Sequence, residues 1–221
     1  MNRRIFLASL AGLVSTGCSP DSGVSLAIQT IRGGYERRDR YPLTKADIER
    51  IPYSTLGFWV GRGMRIIVVM KTLTPPYTAV WESTDRAHLT TQNGVITQTS
   101  GMPTDLIGYE FPELPVMTLD ALSAIAKRPL SGTIRTSERT NAVSAIESTF
   151  TLGAAERITI LDDDYDVIPV REQLKVPSRH WQAENRYWIR ESDDLIIKGQ
   201  RAFAPQFPAM NWERFPNPKK S

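Results

Sequence analysis

The chain predicts a mainly β fold: antiparallel meander sheets forming an open half-barrel or sandwich, with a few short helices. Three observations carry this. From Ser54 onward, β-branched and aromatic residues recur in short runs separated by Gly and Pro. Asn93-Gly94 lies between two such runs, and both central positions of a type I′ hairpin turn need positive φ. The later runs are joined by polar linkers of a few residues, whereas a parallel crossover needs a dozen or more, so neighbouring strands are expected to be antiparallel.

The elements follow in chain order. Met1-Asn2-Arg3-Arg4 and the apolar run Ile5 to Val14, ending in the small residues Ser15-Thr16-Gly17, form a charged head, an apolar stretch and a cleavage region. The apolar run is far shorter than the roughly 20 residues a bilayer-spanning helix requires. Residues 1–17 are therefore expected to be a signal peptide. Cleavage before Cys18, the one cysteine of the chain, would leave its thiol at a new N-terminus for acylation. Ser15 stands where bacterial lipoprotein signals usually carry Leu, and Thr16-Gly17 supply the small pair. Arg3-Arg4-Ile5-Phe6-Leu7 also fits a twin-arginine signal, which leaves both export routes open. One acyl chain holds a membrane only marginally, at about 0.8 kcal/mol per buried methylene, and lipoprotein modification supplies more than one. Ser19, in place of Asp, points to the outer membrane.

Residues 18–23 are expected to form a lipidated tether, and 24–205 a single β-rich domain. Val24 to Arg32 is expected to be a short helix with Val24, Ile28 and Ile31 on one side, stopped by Gly33-Gly34. A second helix is expected after Thr44, where Asp47 completes a capping box and Leu43 can staple onto Ile48. Strands are expected over 55–60, 64–72, 77–83, 88–92 and 95–99. The segment Gly101 to Pro115, with three prolines, is expected to be a surface loop. Thr118 caps a helix that ends before Pro129. Further strands are expected over 132–137, 143–152, 157–161, 167–176, 186–191 and 195–203, with polar turns at Asp162 to Asp166 and Ser192 to Asp194. Residues 206–221 are expected to be an irregular tail tacked down by Phe207, Trp212 and Phe215.

Composition excludes several function classes. Losing Arg3 and Arg4 with the leader lowers the 27 basic residues to 25 against 24 acidic ones, too balanced for a nucleic-acid partner. With Cys18 acylated no thiol remains, so the exported domain must rely on its core for stability. His88 and His180 are far apart in sequence, neither has a partner at metal-ligand spacing, and structural or surface roles are expected for both. Asp162, Asp164 and Asp166 have calcium-loop spacing, but Val167 and Gln173 stand where such a loop needs Gly and Glu, so a solvated hairpin turn is expected. Glu147 and Glu172 lie on strands and are expected to face outward; a pair of carboxylates suited to glycoside hydrolysis depends on the fold. Trp181, Tyr187 and Trp188 alternate with Arg179, Arg186 and Arg190, a pattern expected to place rings inward and arginines outward. No catalytic, cofactor-binding or metal-binding residue is assigned, and no cofactor; lipid attachment at Cys18 is the one site.

Taken in order, Ile51-Pro52-Tyr53-Ser54-Thr55, Arg65-Ile66-Ile67-Val68-Val69, the Asn93-Gly94 hairpin, Ser148-Thr149-Phe150, Tyr187-Trp188-Ile189 and Gly199-Gln200-Arg201 resemble the YjbF/GfcB family of lipoproteins. The resemblance runs from the Cys18 region to about Pro205. It implies a β-rich lipoprotein facing the periplasm, encoded with group 4 capsule and exopolysaccharide export genes, and it transfers no catalytic residue. The resulting expectation is a non-enzymatic accessory in capsule or exopolysaccharide export or assembly. It would be held at the outer membrane by its N-terminal lipid, with polysaccharide-export proteins or polysaccharide as partners and no nucleic acid. The alternative is a carrier that binds a lipid or other apolar ligand in a half-barrel pocket. A polysaccharide-modifying hydrolase is the third reading.

Overall fold

The computed structural model describes residues 43–75, 77–84, 86–138 and 143–215. The signal peptide, the tether with Cys18 and the helix expected over 24–32 lie outside the described residues. Helix α1 (Lys45–Glu49) opens the described fold, and its capping box forms as expected: Asp47 N donates to Thr44 Oγ1 at 3.3 Å and Thr44 N to Asp47 Oδ2 at 3.0 Å. Thr44 Oγ1 also donates to Asp47 Oδ2 at 2.6 Å, and this bond, followed by the one from Thr44 N, holds the Asp47 carboxyl below its usual range. Leu43 packs in the same apolar cluster as Ile48.

Strands β1 (Thr55–Val60), β2 (Ile66–Thr74), β3 (Thr78–Glu82), β4 (His88–Gln92) and β5 (Val95–Ser100) form an antiparallel meander. β6 (Leu106–Glu110) follows, then α2 (Leu119–Ala124), where Thr118 Oγ1 accepts from Ala121 N. β7 (Leu130–Thr136), β8 (Val143–Leu152), β9 (Glu156–Ile160), β10 (Asp163–Val176), β11 (Trp181–Arg190), β12 (Ile196–Arg201) and β13 (Met210–Arg214) complete one 13-stranded sheet. Its order is β5-β4-β3-β2-β1-β13-β12-β11-β10-β8-β7-β6, with β9 paired to the first part of β10. The sheet curls until its edge strands β5 and β6 lie beside each other, giving a nearly closed half-barrel. No backbone ladder joins those edges among the described residues; at one end Leu106 N donates to Thr99 Oγ1 at 2.9 Å instead.

The inner face carries the main core, including the fully buried Trp81, Phe150, Tyr187, Phe203 and Trp212. A smaller cluster of Ile48, Ile160, Val167, Ile197 and Phe215 lies on the outer face beneath α1. Ile196 and Ile197 show why both exist: consecutive strand residues point to opposite faces, and one enters each cluster.

The Asn93-Gly94 turn forms with φ of 47° and 85°, as its type requires. It is also an anchor. The Asn93 side chain donates to Met117 O at 2.7 Å and Asp194 O at 2.8 Å, and Ile196 N donates to Asn93 O at 3.2 Å. A Cβ on Gly94 would stand 2.1 Å from Ile196 O, so this close approach needs glycine as much as the turn does.

Three expectations are corrected. Residues 101–115 are not a surface loop: they contain β6, and Leu106, Tyr109, Phe111 and Leu114 are buried, so this segment supplies one wall of the barrel. In the acidic run the hairpin tip is Leu161-Asp162, with φ of 49° and 68°, and Asp163 to Asp166 continue as strand. Lys45 Nζ, Thr159 Oγ1 and Arg157 Nε donate respectively to Asp163, Asp164 and Asp166, so these carboxylates serve separate partners. The third correction concerns the tail expected to be irregular, in which residues 210–214 form strand β13. β13 lies between β1 and β12 at the middle of the sheet, and Trp212 packs directly over Gly199, where a Cβ would meet its ring at 2.1 Å. The preceding strand ends at Arg201, and Phe203 packs against Phe207 in the crossing that carries Pro205 and Pro208.

A chain ending at Phe207 would lose β13 and leave β1 and β12 as bare edges. We expect it to lose cooperative unfolding in urea followed by circular dichroism, whereas an irregular tail would be removed without effect. In the full chain, Trp212→Ala is expected to cost about 3–5 kcal/mol.

Candidate functional site

The alternation on β10 places Val170, Glu172, Leu174 and Val176 on the inner face. Glu172 was expected to face outward and does not: it is 0% exposed, whereas Glu147 on β8 is exposed. A carboxylate can stay buried only where hydrogen-bond donors replace its hydration. Three strands supply them. Tyr109 Oη on β6 and Ser148 Oγ on β8 donate to Glu172 Oε1, the latter at 2.6 Å. On β11, Asn185 Nδ2 and Tyr187 Oη donate to Oε2 at 2.9 and 2.6 Å. Both oxygens are thus doubly engaged, which fills the acceptor capacity of a carboxylate.

Arg201 on β12 is also 0% exposed. Its Nε and Nη2 donate to Tyr187 Oη at 3.0 and 2.7 Å, and its Nη1 donates to Ile96 O on β5 at 2.5 Å. The guanidinium lies 3.9 Å from the Tyr109 ring centroid. Tyr187 therefore bridges anion and cation: its proton goes to Glu172 and its oxygen accepts from Arg201. Burial, followed by the Glu172 charge, raises Tyr109 well above the ordinary phenol range. Tyr187 is raised likewise, first by burial, with Arg201 opposing and Glu172 adding to the shift. Among the described residues, Trp212 Nε1 is the buried side-chain polar atom that lacks a partner.

This network forms the floor of a cavity of about 520 Å³. Gln92, Val95 and Thr97 line it from the β4–β5 hairpin, Tyr109 and Glu110 from β6, Phe111 to Met117 from the following segment, and Arg201 from below. A smaller hollow of about 180 Å³ continues along the β5–β6 seam past Gln98 and Gly108. The seam is closed near Thr99 and open near Thr97, because β5 and β6 splay where no ladder joins them.

The aromatic and basic cluster is divided by the sheet. Tyr187 faces inward and Arg186 outward, as strand alternation requires. Trp188 lies on the outer side, where its Nε1 donates to Glu156 at 2.8 Å and Lys198 Nζ approaches its ring at 5.4 Å. Arg179 ties the β10–β11 turn to Glu138, Thr136 and Ser144. His88 lies 3.8 Å from Glu82 on β3, and His180 closes the Pro177–Arg179 turn with φ of 47°. Sequence reasoning missed Glu172, Tyr109 and Arg201 as one group. The inward phase of Val170, Leu174 and Val176 was the available signal for Glu172; nothing local indicates which donors meet it.

Removing one member of the network strands the others. Glu172→Gln is expected to cost about 3–5 kcal/mol in urea unfolding, because Arg201 stays buried without its counter-charge. Tyr187→Phe, which deletes only the bridging hydroxyl, is expected to cost about 1–3 kcal/mol. Raised phenol pKa values stabilise the folded state below the unfolded value of about 10.0, and that contribution falls as the pH rises above it. Stability measured from pH 9 to 11.5 should therefore decline, and less steeply in Tyr187→Phe.

A family model described as group 4 capsule polysaccharide lipoprotein gfcB, YjbF, matches residues 24–215. No curated protein matches the chain. The crystal structure of the hypothetical lipoprotein YmcC from Escherichia coli K12 superposes with a TM-score of 0.63 at 18% identity, covering 80% of this chain and 98% of that one. At that identity the likeness is one of fold. The match across 24–215 takes in every described strand, β13 included, and the chain belongs to the YjbF family of group 4 capsule polysaccharide lipoproteins.

Proposed function

We propose that the protein is exported, acylated on Cys18 and anchored in the outer membrane facing the periplasm. There it acts as a non-enzymatic accessory in capsule or exopolysaccharide export or assembly. The observation that carries this reading is the family match from residue 24 to residue 215, which spans the whole described barrel. Its partners are the membrane, through the lipid, and polysaccharide-export proteins or the polysaccharide itself.

The interior chemistry supports an accessory over an enzyme. A general acid or base must exchange its proton with a substrate, whereas every acceptor site of Glu172 is already bonded to protein. Glu110 is the other carboxylate beside the cavity, and a glycosidase pair needs two that face one bond. The apolar-carrier reading is weaker for a different reason. Trp81, Phe150, Phe203 and Trp212 fill the barrel interior, and the remaining cavity has a mixed polar lining.

Cys18→Ser is expected to abolish labelling by a radioactive fatty acid and move the protein to the soluble periplasmic fraction; retention in membranes would contradict acylation there. Deleting the gene is expected to reduce surface polysaccharide, measured on whole cells, with restoration by the wild-type chain. Polysaccharide unchanged by deletion would overturn the accessory role.

A further inference from the structure

We infer that the cleft on the outer face, between the β8–β9 link and strands β10 and β11, is a binding site for an acidic sugar of a glycan chain, with Arg171 and Arg186 holding its carboxylate and Trp188 its ring. The inference rests on the polysaccharide role proposed above and adds to it a site and a ligand class.

Strand pairing sets two like charges side by side. Arg171 on β10 is the direct cross-strand partner of Arg186 on β11, and both are exposed on the outer face. Like charges directly opposite each other destabilise a sheet. The rest of their row carries no acid: Thr151 stands beside Arg171 on β8, and Gln200 and Asn211 continue from Arg186 across β12 and β13. Two acids lie close by, and both are engaged. Glu184, one outer row away, accepts from Arg186 Nε at 2.7 Å and from Gln173 Nε2 at 2.9 Å, while Glu156, beyond Trp188, accepts from the indole Nε1. Arg171 acts on Glu184 by charge but makes no hydrogen bond or ion pair among the described residues. Its guanidinium is a solvated fork that lines the cleft.

The cleft adds a ring platform and room for a sugar. Residues 153–155 leave the ladder between β8 and β9, with Gly153 N donating to Pro169 O at 2.7 Å, and the space beside them measures about 570 Å³. That falls within the roughly 300–1,000 Å³ typical of small-molecule sites. Pro169 and Trp188 are themselves cross-strand partners and line the cleft one outer row from the arginines, about 7 Å along the strands. Trp188 packs against the outer apolar cluster and its Nε1 is committed to Glu156, so the indole is held in place and offers a ring face. Such a face suits the C–H side of a pyranose, and guanidinium forks match a carboxylate through paired hydrogen bonds. A small inorganic anion would use the arginines and leave the platform empty. A neutral sugar would cover the platform and leave the two cations facing each other. An acidic sugar uses both, and the uncharged polar row through Gln200 and Asn211 lets a chain continue across the sheet.

The test uses the full chain purified from the expressing cells in mild detergent. The probes are oligosaccharides released from the surface polysaccharide of those cells by partial acid hydrolysis: the acidic fraction from ion exchange, and the same fraction after its carboxyl groups are reduced to alcohols. Calorimetric titration should show saturable binding of the acidic fraction, weakened by added salt, and none of the reduced one. Arg171→Gln should weaken binding about tenfold or more without lowering the unfolding temperature, since it removes one of two facing cations. Lys175→Gln, on the same face but opposite Glu147, should leave binding as it is. Equal binding of the reduced fraction, displacement by inorganic phosphate at matched concentration, or binding that Arg171→Gln leaves intact would each overturn the site. So would equal losses in the two variants, a lowered unfolding temperature in Arg171→Gln, no saturable binding, or a polysaccharide that yields no acidic fraction. If deletion still reduces surface polysaccharide, such a result removes this site and leaves the accessory role standing. Unchanged polysaccharide on deletion removes the accessory role instead.

Discussion

A carboxylate with no access to water governs the interior of this protein. Glu172 stays buried because side chains from β6, β8 and β11 bring four donors to it, and each of those strands must be in register for the donors to arrive. Burying an ion costs several kcal/mol unless its partners are well placed, so a one-residue slip in any of these strands would turn its donor to the other face and leave the charge exposed to that cost. Such a network contributes more to selecting one arrangement than to net stability.

Closure of the sheet follows a similar logic at its two ends. The Asn93-Gly94 tip is held by carbonyls from the segment before α2 and from the β11–β12 turn, both remote in the strand order. Arg201 makes a second cross-barrel link, reaching from β12 to the backbone of β5. These contacts bring the edge strands together without zipping them. The seam therefore closes at Thr99 and opens at Thr97, and the cavity is the space that incomplete closure leaves. Edge strands in general are templates for unwanted pairing, and mutual apposition of β5 and β6 restricts access to both.

Much of this fold was legible in the chain. The Thr44–Asp47 capping box, the Asn93-Gly94 hairpin and the phase of strands such as Val143 to Leu152 follow from local rules, and the structure places each where those rules put it. Legibility failed where a local cue met a tertiary partner. Three prolines made 101–115 look like a loop, although Leu106 and Tyr109 had a wall to complete. Prolines around Phe207 hid a central strand whose worth comes from Gly199, eleven residues before Met210 and across the ladder from Trp212. Glu172 read as a surface charge because its donors lie up to 63 residues away.

The sequence by itself determined the strand character, the turns and caps, the family and the expectation of a lipid at Cys18, since each depends on residue type and spacing over a short stretch. Only the tertiary structure decided that a buried carboxylate and guanidinium share Tyr187, that β13 joins the two halves of the sheet, and that the open seam lies above Arg201. Those outcomes are set by which strands become neighbours, and side chains far apart in the chain interact only after the sheet has curled to bring them within hydrogen-bonding distance.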